Sequence, residues 1–259
     1  MSDPVNSTIL LLDIEKFSDR DDVEQAYLRR MLFDLTDRAL LAAGIEMTLR
    51  QRADRGDSVM ELIDSNASST TLLRTLLGFV PAELRAMNRT ASSSAQMRLR
   101  GVVASGYVAV DGSGGWVGSD LNHACRLLDA EVLRDALRER SGAFALCVSE
   151  TVYRGVVRHN HPGVPADEFQ AVTVDSKNGP LSAWLHGRVP GDGSTVGEQP
   201  RHEPSGTTQA STGSPTPRAG FDVGGTTVNG GVFGGRNDGI GGGTFHGDVH
   251  FGGGRGDRG

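Results

Sequence analysis

Two aspartates stand where a carboxylate is costly without a cation. Asp13 closes the apolar run Thr-Ile-Leu-Leu-Leu-Asp-Ile over residues 8–14, and Asp57 follows Gly56 in a short polar connection. A carboxylate at the mouth of a buried strand loses hydration and must recover it from a counter-charge. Two of them on neighbouring strands would suit Mg2+ or Mn2+, which take hard oxygen ligands and sit well beside substrate phosphates. The same pair also reads as a helix cap and an ordinary turn residue. Asn122 and Arg126 are four residues apart, so on a helix they share a face. An amide beside a guanidinium suits a sugar oxygen and a phosphate, or forms a solvated surface pair. Lys177, in the turn Ser176-Lys177-Asn178-Gly179, is either solvated or a point charge for a polyphosphate.

The elements that would position these residues follow from apolar patterning. Residues 8–14 read as a buried strand, continuously apolar and ended by a polar turn. Residues 21–43 read as an amphipathic helix with Val23, Tyr27, Met31, Leu35 and Ala39 on its stripe and Gly44 as its stop. Residues 45–52 and 58–63 read as a hairpin around Arg55-Gly56-Asp57. A second helix spans 69–88, interrupted or kinked at Pro81. A strand covers 97–110, and a long helix 119–139 buries Leu121, Cys125, Leu128 and Val132. A short strand at 143–149 and a hairpin at 168–175 and 180–186 complete the order. Paired hairpins without strict strand–helix alternation predict an α+β fold, helices packed on a mainly antiparallel sheet.

Composition sets the outer bounds. The chain has 259 residues with a formal net charge of -6, which argues against direct nucleic-acid binding by broad phosphate neutralisation. Of the 36 glycines, 23 fall in residues 187–259. Residues 1–187 therefore read as the globular domain and 188–220 as a disordered linker too poor in apolar residues to offset chain entropy. Residues 221–259 read as a Gly-rich tail with spaced Val, Phe and Ile. The cysteines, Cys125 and Cys147, have no CxxC spacing. With no basic, apolar leader and no apolar run of membrane-spanning length, a reducing, cytoplasmic setting is expected.

Taken in order, the motifs resemble the catalytic domain of class III nucleotidyl (adenylate/guanylate) cyclases. Asp13-Ile14-Glu15-Lys16-Phe17-Ser18 is similar to the family's D-I-x-x-F-[ST] opening, and Arg55-Gly56-Asp57 to its Gly-Asp turn. Arg100-Gly101-Val102 with Gly106 resembles its R-x-G-I-x-x-G-x-V strand. The segment Val117–Leu127, which carries Asn122 and Arg126, resembles G-x-x-V-N-x-A-x-R-L. Lys177 falls where the family has a K-G-K hairpin. The resemblance covers about residues 7–187, and the Asp-Arg-Gly-Asp turn and Arg-Leu-Leu-Asp-Ala helix look like a divergent actinobacterial branch.

The resemblance implies a ferredoxin-like class III cyclase fold and a set of roles. Asp13, Asp57 and the backbone carbonyl of Ile14 would ligate two Mg2+ or Mn2+ ions. The turn with Phe17 and Ser18 would hold triphosphate oxygens, and Lys177 the β/γ-phosphates. Arg126 would stabilise charge at the α-phosphate, and Asn122 would orient the ribose. The product would be a 3′,5′-cyclic nucleotide with release of pyrophosphate. In this family one domain supplies the metal aspartates and its partner the Asn/Arg pair, so this chain would act as a homodimer. The base-reading positions depart from the pattern: they are Ala53 and Gly115, which carry no polar side chain, and Arg52, Asp54 or Trp116 stand nearest as replacements. Ser58 also replaces the glycine often found after the Gly-Asp turn. The resemblance leaves the base unnamed; a pyrimidine substrate, as in the bacterial anti-phage pyrimidine cyclases that share this fold, is also open.

The tail contains Val228-Asn229-Gly230-Gly231-Val232-Phe233 and the alternating Thr244–Phe251, both free of proline and weakly charged. The pair resembles bacterial amyloid signalling motifs, which imply a homotypic partner through strand addition; a disordered glycine-rich tail is the other reading. Two functions remain in view: a metal-dependent cyclase, and a catalytically weak cyclase-homology domain that senses nucleotide or dimerises as a scaffold in a signalling or anti-phage system.

Overall fold

The computed structural model describes residues 2–111, 115–176 and 179–191. The linker beyond residue 191, the tail, and Lys177 lie outside the described residues.

The chain runs β1 (Val5–Ile14), a helical turn (Phe17–Asp19), α1 (Asp22–Ala42), β2 (Arg50–Asp54), β3 (Ser58–Asp64), α2 (Ser69–Thr90) and β4 (Leu99–Val110). It continues through β5 (Trp116–Val117), α3 (Ser119–Leu128), α4 (Glu131–Glu139), β6 (Phe144–Ser149), α5 (Glu150–Gly155), β7 (Phe169–Val174) and β8 (Leu181–His186). Seven strands form one sheet in the order β2-β3-β1-β4-β6-β8-β7, with β5 paired to β4. Every pairing is antiparallel except β4 with β6. This is the α+β architecture expected from the sequence.

The strand period of two divides β1 between two cores. Leu10, Leu12 and Ile14 face a core built with α1, α2 and α5. Ile9 and Leu11 face a second core built with α3 and α4. Asp13 belongs by alternation to that second face, at its polar end.

The outcome differs from the sequence reading in several places. On α1 the buried residues are Leu28, Leu32, Leu35, Thr36, Ala39 and Leu40, while Val23 is 79% exposed and Tyr27 37%. A strict four-residue spacing drifts off the face of a 3.6-residue helix; the buried set follows the true period. Residues 47–49 form a helical turn, so β2 begins at Arg50. The α2 helix is assigned continuously through Pro81, because Leu76, Val80 and Leu84 hold both halves against one core. The helix expected over 119–139 is two helices separated at Asp129–Ala130. The break lets Leu121, Ala124 and Leu127 of α3 and Leu133, Ala136 and Leu137 of α4 each turn inward, whereas Cys125, Leu128 and Val132 are only partly buried. Among the described residues no helix is long and apolar enough to cross a membrane.

Candidate functional site

Asp13 sits on a strand flanked on both sides. Its ladder partners are Ser58 on β3 and Arg100 on β4. Asp57 is the residue before Ser58, and its carbonyl accepts the Ile14 N–H at 3.1 Å. The register thus brings Asp13, Ile14 and Asp57 to one end of the sheet. The turn that carries Asp57 is tight: Gly56 has φ +84°, a left-handed conformation natural to glycine. The Asp57 carboxylate has no hydrogen-bond or ion-pair partner among the described residues.

The Asp13 carboxylate is buried and ion-paired with Arg100. Arg100 also reaches the Leu128 carbonyl at the end of α3, at 3.3 Å. Burial pushes the Asp13 carboxyl up to about 6; Arg100 opposes this, and the nearby charges of Asp57 and Asp129 add to it. A buried carboxylate with two further carboxylates near it is a place where a cation is favoured. The donors are hard oxygens, two carboxylates and the Ile14 carbonyl, and this set fits Mg2+ or Mn2+. Among the described residues no cluster of three or more His, Cys, Asp or Glu could hold a metal ion alone. An ion here therefore needs substrate phosphate or water oxygens to complete its shell.

The turn after β1 is held by a residue the sequence reading did not single out. Arg20 donates to the carbonyls of Glu15 (2.9 Å), Lys16 (2.5 Å), Ser94 (3.0 Å) and Gln96 (3.0 Å). Lys16 adopts the left-handed conformation at φ 55°. Phe17 packs against the α1–α2 core, and Ser18 is exposed beside it. Phe17 anchors the turn and Ser18 forms its outer surface. A lone arginine carries no sequence pattern that would have revealed this staple, which ties the local carbonyls of Glu15 and Lys16 to the distant segment at Ser94 and Gln96.

Asn122 is exposed on α3, and Arg126 one turn on is half-buried. Neither side chain has a hydrogen-bond partner among the described residues, and Arg126 Nη1 is buried without one. The approach of α3 to β4 requires two glycines. A side chain at Gly118 would meet the Tyr107 carbonyl at 2.6 Å, and one at Gly106 would enter the Asp120 carboxylate, which accepts the Tyr107 N–H at 2.9 Å.

The base-reading positions resolve unevenly. Ala53 pairs with Met60 and packs on the α3–α4 core, as does Trp116. By alternation Arg52 and Asp54 lie on the other face. There Arg52 pairs with Asp37 of α1 (2.6 Å) and with the buried Glu61 (2.5 Å), and Asp54 pairs with Arg29. Arg50 completes the cluster through Glu61 at 2.7 Å and Asp37 at 2.5 Å. Arg52 and Asp54, named as possible base readers beside Ala53, thus pair with Asp37, Glu61 and Arg29 on the face of the sheet opposite Asp13. Gly115 is exposed, just before β5, where an added side chain would meet Asp111 Oδ2 at 2.5 Å.

Solved structures share this architecture. The chain is similar to the guanylyl cyclase Cya2, with 16% identity and a TM-score of 0.51 over 74% of this chain and 96% of that one. It is likewise similar to a bacterial light-regulated adenylyl cyclase, with 16% identity and a TM-score of 0.50 over 73% and 92%. No protein-family profile matches the sequence, and no curated protein does. The fold is that of class III adenylyl and guanylyl cyclase domains.

Proposed function

We propose that the chain is a metal-dependent nucleotidyl cyclase that converts a nucleoside triphosphate to a 3′,5′-cyclic nucleotide and pyrophosphate. The observation that carries this reading is the juxtaposition of Asp13, Ile14 and Asp57 at one end of β1, in a fold that solved nucleotidyl cyclases share. Asp13, Asp57 and the Ile14 carbonyl would hold two Mg2+ or Mn2+ ions, which would supply Lewis-acid polarisation of the ribose 3′-hydroxyl and the triphosphate. The turn at Phe17 and Ser18 cradles phosphate oxygens, and Lys177 adds a cation for the β/γ-phosphates. Arg126 of a second copy neutralises charge at the α-phosphate while its Asn122 hydrogen-bonds the ribose. The 3′-oxygen forms its bond to the α-phosphorus as the bond to pyrophosphate breaks, and the hydroxyl proton leaves to solvent. Among the described residues neither α3 side chain has a hydrogen-bond partner, and Arg126 Nη1 is buried without one, which supports their use by a partner in a homodimer.

A second reading, a nucleotide sensor or dimerising scaffold in a signalling or anti-phage system, is favoured by two observations. Ala53 and Gly115 offer no side-chain hydrogen bond to a base, and Arg100 already neutralises Asp13. Incubating the full chain with each of the four ribonucleoside triphosphates and Mn2+, with mass spectrometry of the products, decides between them. Cyclic product that vanishes in Asp57→Asn supports the cyclase. Nucleotide binding without product from any of the four supports the sensor.

The tail segments 228–233 and 244–251 would recruit a matching segment by strand addition, and thioflavin-positive assembly lost on deleting 188–259 is its test. The two unpaired cysteines fit a cytoplasmic location.

A further inference from the structure

We propose that Asp54 is a positioning residue for Asp57, anchored by Arg29 on α1. The proposal rests on the reading of Asp57 as a metal ligand. The connection between β2 and β3 has its main chain tied at several points. Arg55 N–H donates to the Ser58 carbonyl at 3.0 Å, Asp57 N–H to the Arg55 carbonyl at 3.2 Å, and the Asp57 carbonyl accepts from Ile14. Among the described residues the side chain that enters this loop is that of Asp54, whose Oδ1 accepts the Gly56 N–H at 2.9 Å. This is an Asx-type closure, in which a short carboxylate fixes the main chain two residues on.

The other Asp54 oxygen is taken by Arg29. The Arg29 guanidinium lies 5.1 Å over the Phe33 ring, and Arg52 lies 5.0 Å over the same ring. Phe33 therefore holds Arg29 toward β2, and Arg29 holds Asp54 in the rotamer that closes the loop. The helix bearing Arg29 starts directly after the Phe17–Asp19 turn. One helix thus links the phosphate-side turn to the loop that aims Asp57. Residues that orient a ligand without touching the metal typically set affinity by tenfold to a hundredfold.

The test is titration of the full chain with Mn2+ alone, following the free-ion signal by electron paramagnetic resonance, for wild type, Asp54→Ala, Asp54→Asn, Asp54→Glu and Asp57→Asn. Asp54→Ala should weaken Mn2+ binding roughly tenfold or more. Asn keeps an acceptor for Gly56 N–H but loses the Arg29 pair, and should bind between wild type and Ala. Glu keeps the charge for Arg29 but moves the carboxylate a methylene away, and should bind as weakly as Ala; it also serves if Asp54→Ala does not fold. Asp54→Ala and Asp54→Glu with wild-type affinity, while Asp57→Asn loses it, overturn the positioning role and leave Asp57 as a ligand. An Asn variant no better than Ala also overturns it. Asp57→Asn with unchanged Mn2+ binding overturns the metal reading, and this proposal with it.

Discussion

Arg100 on β4 is ion-paired with Asp13 on β1 directly across the strand pair, and the same guanidinium caps the last turn of α3 through the Leu128 carbonyl. One side chain therefore joins the candidate ligand Asp13 to the helix that carries Asn122 and Arg126. Yet burial outweighs the ion pair in setting the Asp13 carboxyl, which stands at about 6.

That value gives stability a pH dependence of definite sign. The folded pKa lies above the ordinary 3.8, so the contribution is fully present below pH ~4 and is lost as pH rises through 6. The loss amounts to about 3 kcal/mol. Urea unfolding of wild type between pH 4 and 7 should show this falling limb, and Asp13→Asn should flatten it. A limb unchanged in Asp13→Asn would assign it elsewhere.

Removing the cation should expose the cost that Arg100 offsets. Arg100→Gln should lose about 2–4 kcal/mol at pH 8, where Asp13 is left ionised and unpaired. The deficit should shrink at pH 5, where the carboxyl can take a proton. Equal deficits at both pH values would show that Arg100 acts through packing alone.

A shared site can be tested by complementation. Asp57→Asn and Arg126→Ala should each be inactive, and an equal mixture after subunit exchange should recover about a quarter of wild-type activity, from mixed dimers with one intact site. Continued inactivity, with exchange verified by mass, would remove the two-chain arrangement.

Gly118→Ala should be costly. Its new methyl would meet the Tyr107 carbonyl at 2.6 Å, main chain that cannot rotate aside, so about 1–3 kcal/mol should be lost. The displaced helix start should raise the KM for nucleotide more than Gly142→Ala does, since a side chain there meets nothing within 4 Å. Equal KM values for the two variants would deny α3 a place in nucleotide binding.

Nucleobase discrimination should be shallow. With Ala53 and Gly115 lacking polar side chains, apolar contact from Trp116 should hold kcat/KM for the four nucleotides within about a hundredfold, against the 10⁴ or more that a hydrogen-bonding base pocket gives. A preference beyond 10⁴ would require a polar reader elsewhere.

Much of the scaffold could be read from local pattern because the pattern is local. The apolar run Ile9–Leu12 belongs in the middle of a sheet, and Gly56 in a two-strand connection supplies the left-handed φ that a tight turn needs. The ordered motifs made the fold legible where pairwise similarity is faint. The failures share a cause. Ala53 and Arg52 are neighbours in sequence, but strand alternation sends them to opposite faces, and only the pairing of β2 with β3 shows which face meets α1. The break at Asp129–Ala130 carries no glycine or proline to announce it; it exists because two short helices seat on the sheet better than one long one. Arg20 reaches Ser94 and Gln96, and Arg29 reaches Asp54, partners far away in the chain that no spacing rule can find. The β5 strand and α5 helix are too short to show a period.

The central place of β1 has a bearing on motion. With β3 on one side and β4 on the other, the amide protons of Leu10 to Asp13 can exchange with solvent only when the whole domain opens, whereas β2, with a neighbour on one side, can fray by itself. Asp57, whose carbonyl is bonded to Ile14 of this inner strand, shares that protection on its β3 side, so exchange in the hairpin should fall off from Ser58 outward to β2.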